Sequence, residues 1–516
     1  MFVSITSGSS CGIHSCLTQV EVDTSQALPG FDMVGCLGSE VREARERVRV
    51  ALRNTGIRLP AMRITVNISP AGIRKDGTAY DLPIAVGILV SIGMIPAAET
   101  EQVLFLGELG LNGELKGVSG VLPVVSEAAK NGITTCIVPK ENEDEAAIAG
   151  KVTVLGFENM KEILRYLTVP HSERKNLISP CHVDVKALIR KQQQEESRDE
   201  DFAELIGQES VRRSVEIAAA GFHNLLMIGP PGAGKTMAAR RIPSILPPMS
   251  LEESMEVSKV YSILGKLNKN HYLITKRPFL NPHHSISEQA MIGGGRSPKP
   301  GTISLAHKGV LFLDEFPEFK REVIEALRQP LEEKQVHIAR SMGNYSYPAD
   351  VMLVAAMNPC PCGFYPDREK CRCTPNEVRR YRSRISGPIL DRMDMIVETP
   401  GLGIGELTED RKGESSREIR KRIILARKHQ QTRYKKTAWE FNSQLDAAGV
   451  RAYCRIGEQE QRFLTKIYDN LAFSVRGYHR LLKLARTIAD LDDSEDIKVE
   501  HISEAICYRM NDMWNV

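Results

Sequence analysis

Lys235 and Thr236 close the run Gly229-Pro230-Pro231-Gly232-Ala233-Gly234, and Asp314 and Glu315 end the apolar run Val310-Leu311-Phe312-Leu313. The first run fits G-x-x-x-x-G-K-[ST], a loop whose backbone N–H groups cradle phosphate oxygens. Lys235 would bring its charge to the β- and γ-phosphates of a nucleotide triphosphate, and Thr236 a hydroxyl to its Mg²⁺. Asp314 would hold the same ion from the opposite side, and Glu315 would orient an attacking water. The chemistry these types and spacings imply is binding and hydrolysis of ATP, with Mg²⁺ as its partner.

Such residues work only if strands and helices deliver them together. Asn224-Leu-Leu-Met-Ile228 reads as a short buried strand leading into the loop, and Met237 to Arg241 as a helix continuing to Pro243. Val351 to Met357 is a second buried strand, ending at Asn358-Pro359. A polar residue there, at the carboxyl end of a strand beside the phosphate loop, can hold the attacking water or sense the γ-phosphate. Asn358 therefore joins the candidate site.

The 516 residues allow about three domains. We place an N-terminal domain at 1–168, a polar linker at 169–201, the nucleotide-binding core at 202–400 and a helical lid at 401–516. Within the first, Val41 to Asn54 has a helical apolar stripe (Val41, Ala44, Val48, Leu52), and Ile64 to Ile68 alternates like a strand. Lys191 to Asp201 has almost nothing to bury, and 401–416 is charged and poor in apolar residues. In the lid, Leu481, Leu484, Ile488 and Leu491, then Val499, Ile502, Ala505 and Ile506, form stripes that read as helix-bundle core.

Net charge is only +3, so any nucleic-acid surface must be local. No basic leader opens the chain, and the apolar run Leu82 to Ala98 is broken by Pro83, Gly87, Gly93 and Pro96. The expectation is a cytoplasmic protein without a membrane partner. Eleven cysteines then read as reduced thiols or metal ligands rather than disulfides.

Four of them, Cys360, Cys362, Cys371 and Cys373, fall within fourteen residues. Four thiolates can close a structural Zn²⁺ site, although the C-x-C spacing is tighter than usual. Free thiols are the alternative. The same segment carries Arg368, Lys370, Arg372, Arg379, Arg380, Arg382 and Arg384, either a phosphate-contacting surface or a solvated basic face. His283 and His284 lack the companions of a metal motif.

With Asn358 placed after the acidic strand, the chain resembles the AAA+ ATPases, an α/β P-loop fold with a helical lid. The resemblance implies that Asn358 is the residue called sensor 1. It implies too that Arg392, in Ser386-Gly-Pro-Ile-Leu-Asp-Arg-Met-Asp394, is an arginine finger for the neighbouring subunit's nucleotide, and that Arg476 is the sensor 2 arginine, with Arg480 as the alternative. A site shared between neighbours implies a homo-oligomer, most often a hexamer. The glycine-rich Ile292 to Gly301 and a hairpin turning at Gly343-Asn344 resemble insertions of the clade that holds magnesium chelatase motors and replicative helicases. In that clade such loops line a central pore.

Phe105-Leu-Gly-Glu108, Gly117 to Gly120 and Arg74-Lys75-Asp76-Gly77 resemble the α+β protease domain of Lon. The segments where Lon keeps its serine and lysine read Thr78 to Ala85 and Val121 to Val124, without either in place. Peptide hydrolysis is therefore not expected; Lys75, Asp76 and Asp81 are left as a binding surface or turn residues. The whole resembles the YifB/ComM family, magnesium chelatase-like proteins some of which are linked to natural transformation as branch-migrating DNA helicases. That resemblance implies single-stranded or branched DNA as the partner. A protein-remodelling ATPase and a chelatase-type motor subunit are the alternatives.

Overall fold

The computed structural model describes residues 1–195, 200–267, 271–340, 343–367, 369–401, 413–471 and 474–509. Two sheets organise them. The first has seven strands in the order Gly30–Val34, Arg63–Ser69, His14–Ser25, Phe2–Cys11, Val103–Phe105, Thr135–Pro139, Thr153–Phe157. Phe2–Cys11 and Arg63–Ser69 run antiparallel to His14–Ser25, and the remaining pairings are parallel. Alternate residues Val20, Val22, Ile64, Val66 and Ile68 turn to one face, where the helices Ser39–Asn54 and Asp81–Ser91 bury them. Every residue of Asp81–Ser91 is buried, so the apolar run read from Leu82 is a core helix. No described helix is long and apolar enough to cross a membrane.

The second sheet has five parallel strands in the order Phe279–Leu280, Val310–Leu313, Met352–Met357, Leu225–Ile228, Met395–Glu398. Its central strands are near-continuous apolar runs because both faces are covered. Leu225, Met227, Val310, Phe312, Val354 and Ala356 join one core with Val215, Ile242, Ile423 and Leu481. Their neighbours Leu226, Ile228, Leu311, Leu313, Leu353 and Ala355 join another with Ile303, Phe316 and Ile389. The helices Ser416–Tyr434, Val475–Leu491 and Val499–Cys507 cover the first face. Leu481, Leu484, Ile488, Ile502 and Ala505 are fully buried there.

The structure adds detail to one local reading and corrects another. The segment 169–201 holds the helices His171–Arg174 and Val185–Glu195, and residues 196–199 of it lie outside the described residues. Most of the charged passage 401–416 (402–412) lies outside them as well. The hairpin Gln335–Arg340/Gly343–Pro348 pairs Arg340 with Gly343 and Ala339 with Asn344, so Gly343 and Asn344 lie in a paired strand rather than at the turn. Cross-strand registry, not local turn preference, sets that position.

The N-terminal region rests on the hairpin, on the helix Leu251–Ile263 and on the segment around Leu273. The Ile13 N–H donates to Ser346 O (3.1 Å), Gly120 N–H to Ser262 O (2.9 Å), and Ser262 Oγ to Glu145 Oε1 (2.5 Å). Leu122, Ile148 and Leu273 bury one another across the same boundary.

Candidate nucleotide site and cysteine knuckle

The phosphate-loop strand ends at Ile228, and the helix begins at Lys235 and runs through Pro243 to Ile245. Gly232 and Gly234 sit at φ +77° and +73°, where side chains are strained. Gly229 is required for a different reason: a Cβ there would stand 1.9 Å from Thr399 Oγ1. Thr399 anchors the loop from below, its Oγ1 donating to Ile228 O (3.1 Å). Lys235 is buried and folds across its loop. Its Nζ donates to the carbonyls of Gly229 (2.6 Å) and Pro230 (2.9 Å), and to Asn358 Oδ1 (3.3 Å). Pro231 and Ala233 complete the turn, with Ala233 N–H donating to Pro230 O (3.3 Å).

The strand order explains how Asn358 reaches Lys235. Met352–Met357 lies between the phosphate-loop strand and the acidic strand, so its carboxyl end delivers Asn358 into the middle. On the far side, Thr236 Oγ1 donates to Asp314 Oδ2 (2.7 Å), joining the hydroxyl and carboxylate that would hold Mg²⁺. Glu315 is exposed and takes φ +51°, a left-handed conformation rare for glutamate. Its N–H donates to Asp314 Oδ1 (2.9 Å), and its Oε2 lies 3.2 Å from His284 Nδ1. That contact was missed in the sequence. The signal was present: His284 follows Phe279–Leu280, which pairs directly with the acidic strand.

Burial lowers the Lys235 ammonium to about 8, against a smaller upward pull from Asp314. A bound triphosphate restores its preference for the charged form. Nucleotide binding should therefore take up protons at pH 8.5, where much of Lys235 is neutral, and almost none at pH 6.5. Calorimetry in buffers of different ionisation enthalpy reads this directly.

The arginines lie elsewhere. Arg392, Arg476 and Arg480 line one cleft of about 460 Å³ with Asn224, Glu332, Asp350 and Asp394. Asn224 immediately precedes Leu225–Ile228, so the cleft opens at the strand end opposite the phosphate loop, about 13 Å away at a strand's rise per residue. Asn224 Nδ2 donates to Arg392 O (2.9 Å) and fixes its backbone. The Arg392 guanidinium donates to Arg328 O and Pro388 O (both 2.9 Å) and pairs with Glu332. Arg480 pairs with Asp394 at 3.7 Å. Arg476 is exposed, with no hydrogen bond or ion pair among the described residues. Asp394 is held well below the usual carboxylate range, burial being outweighed by His223, Arg480 and Lys483.

The four cysteines do converge. Cys360, Cys362, Cys371 and Cys373 place their sulfurs within 4.8 Å of one another. Cys360–Cys362, Cys362–Cys371 and Cys360–Cys371 are separated by 3.3, 3.5 and 3.7 Å. A tetrahedron with metal–sulfur bonds of about 2.3 Å has edges of about 3.8 Å, so the donor set fits Zn²⁺. The Tyr365 N–H points at Cys360 Sγ (3.4 Å), as amides do toward thiolates.

The basic segment is smaller than its sequence suggests. Arg382 is buried, donates to Pro359 O (3.2 Å) and stacks 4.9 Å over Tyr365, while Arg384 pairs with Glu318 (2.7 Å). Lys370, Arg372, Arg379 and Arg380 remain exposed; Arg368 lies outside the described residues. Lys75 and Asp81 are no surface either. Both are fully buried, Asp81 in a bidentate pair with Arg47 (2.7 and 2.8 Å). Thr78, Ala79, Val121 and Val124 line a cleft of about 510 Å³ shared with Arg296, Lys299 and Tyr345 of the insertions.

A parallel sheet whose asparagine strand separates the phosphate loop from the acidic pair, with helices closing one face, defines a P-loop protein of the magnesium chelatase type. Residues 201–407 match the family described as magnesium chelatase subunit ChlI, residues 20–142 the subunit ChlI of Mg-chelatase family, and residues 413–509 its C-terminal family. The chain is 42% identical to YifB of Escherichia coli K12 over 97% of this chain and 96% of that protein. It is 40% identical to the competence protein ComM of Haemophilus influenzae over 98% and 96%. A partial match, 29% identical over 35% of this chain and 33% of the relative, joins it to Lon protease 2 of Bacillus subtilis. The chain belongs to the magnesium chelatase-like YifB/ComM family.

Proposed function

We propose that the chain is an ATP-hydrolysing AAA+ motor that assembles as a ring, most simply a hexamer, and moves single-stranded or branched DNA. The arrangement of Lys235, Thr236, Asp314 and Asn358 carries the ATPase reading. Lys235 and the loop amides bind the phosphates, and Thr236 and Asp314 hold Mg²⁺. Glu315 takes the proton of the attacking water after leaving His284, and Asn358 orients that water or the γ-phosphate. Arg392, on the opposite side of the sheet, reaches a neighbour's nucleotide on leaving Glu332. Of the two lid arginines, Arg476 suits a similar role better, because Arg480 is committed to Asp394.

The two insertions carry the DNA reading. Their hairpins pack together: Tyr347 donates through its hydroxyl to Pro298 O (2.6 Å), and Arg340 lies against Gly294 and Gly295. Arg296, Lys299 and Arg340 are exposed on this unit, a cluster able to meet a phosphate backbone. The name competence protein, borne by a full-length relative, points the same way. The N-terminal region is read as a Lon-like fold without protease chemistry, because neither a serine nor a lysine stands at the expected positions. The test is ATP turnover with and without single-stranded or forked DNA. Stimulation is the expected result; no stimulation and no binding at low salt, where phosphate contacts are strongest, would sink the DNA reading.

For the cysteines we infer structural Zn²⁺ that staples the segment following Asn358. Elemental analysis of purified protein should find one zinc per chain, and Cys371→Ser/Cys373→Ser should bring this to near zero.

A further inference from the structure

The cysteine knuckle is built against the phosphate loop. Gly363 lies at its turn with φ +89°, and its N–H donates to Cys360 O (3.0 Å). A Cβ placed on Gly363 would stand 2.6 Å from Cδ and 2.8 Å from Cγ of Pro231. Carbon atoms do not approach so closely, so the bare glycine is what lets the knuckle seat on the loop. The segment behind clasps the adjoining turn. Arg382 bonds Pro359 O and stacks on Tyr365. Cys360 is fully buried two residues beyond Asn358, whose Oδ1 already meets Lys235. The knuckle thus touches the phosphate loop at Pro231 and continues directly from the residue that touches its lysine.

We propose that the closed knuckle is a strut for nucleotide binding: with four thiolates gathered on one cation, Gly363 bears on Pro231 and holds residues 229–234 in the shape that accepts phosphate. This rests on the nucleotide and zinc readings above. Opening the knuckle frees Cys360 to Cys373, withdraws the support from Pro231 and loosens the Asn358–Pro359 turn. Gly363 and Arg382 are positioning residues in this scheme, acting through Pro231 and the Asn358–Pro359 turn.

The test measures zinc content and the affinity for a fluorescent ATP analogue on the same samples of full-length protein. Cys371→Ser/Cys373→Ser should lose zinc and bind nucleotide about tenfold more weakly, and Gly363→Ala should keep its zinc yet lose about as much affinity through the new collision. Circular dichroism confirms that each variant is folded. Wild-type protein stripped by a chelator, then reloaded with zinc, gives the same comparison without any substitution: affinity should fall and return. Unchanged affinity after stripping, or Gly363→Ala binding like wild type, would overturn the strut. Failure of wild-type protein to bind nucleotide would instead overturn the nucleotide reading, and a wild type without zinc would overturn the metal reading and the strut with it.

Discussion

Lys235→Ala abolishes nucleotide binding, weakening it by at least about 100-fold, or about 2.7 kcal/mol. The ammonium is buried inside the loop, between the carbonyls of Gly229 and Pro230 and the side chain of Asn358. Alanine leaves the phosphates facing a cavity with no counter-charge. Glu315→Gln has a contrasting outcome. Glu315 is exposed, and its side chain meets His284 and not the phosphate loop, so ATP affinity is retained. Hydrolysis falls by about 10²–10⁴, the usual worth of a general base. Equilibrium binding and single-turnover hydrolysis separate the two variants. A Glu315→Gln protein that turned over ATP normally would remove Glu315 from the reaction.

Arg392→Ala shows how the site is shared. Alone it should lose about 10³–10⁵ in turnover, as arginine fingers do, with ATP affinity retained. Mixed with Glu315→Gln protein it should recover part of that loss. A composite site then draws Glu315 from one subunit and Arg392 from its neighbour. The cleft holding Arg392 opens at the amino-terminal strand edge, away from its own phosphate loop, so rescue within one chain is geometrically closed. Absence of rescue in a mixture that still assembles would leave Arg392 a structural partner of Glu332.

Much of the candidate nucleotide site was legible because its residues follow apolar strands in a fixed order. The phosphate loop, the acidic pair and Asn358 each end a run too apolar to lie anywhere but a doubly covered sheet. Side-chain burial was less legible. Arg382, Lys75 and Asp81 looked like surface charges, yet each is buried against a specific partner: Tyr365 and Pro359 O for Arg382, Pro70 O for Lys75, Arg47 for Asp81. Charge alone does not tell a solvated residue from one folded against a partner elsewhere in the chain. The hairpin closure was misplaced for a related reason, since a Gly-Asn pair invites a turn but registry with the facing strand overrides it.

What the sequence determined by itself was the set of local elements: strand, glycine loop and helix, the acidic strand end, the cysteine quartet and the lid helices. Each follows from short-range rules, apolar period, backbone freedom at glycine and ligand spacing. Only the tertiary structure decided which of these meet. It put the asparagine strand between the loop and the acidic pair, and it sent Arg392 and Arg476 to the opposite edge of the sheet. It also set His284 beside Glu315 and seated the cysteine knuckle on Pro231. Those juxtapositions depend on strand order and on packing between residues far apart in the chain, and no local pattern encodes them.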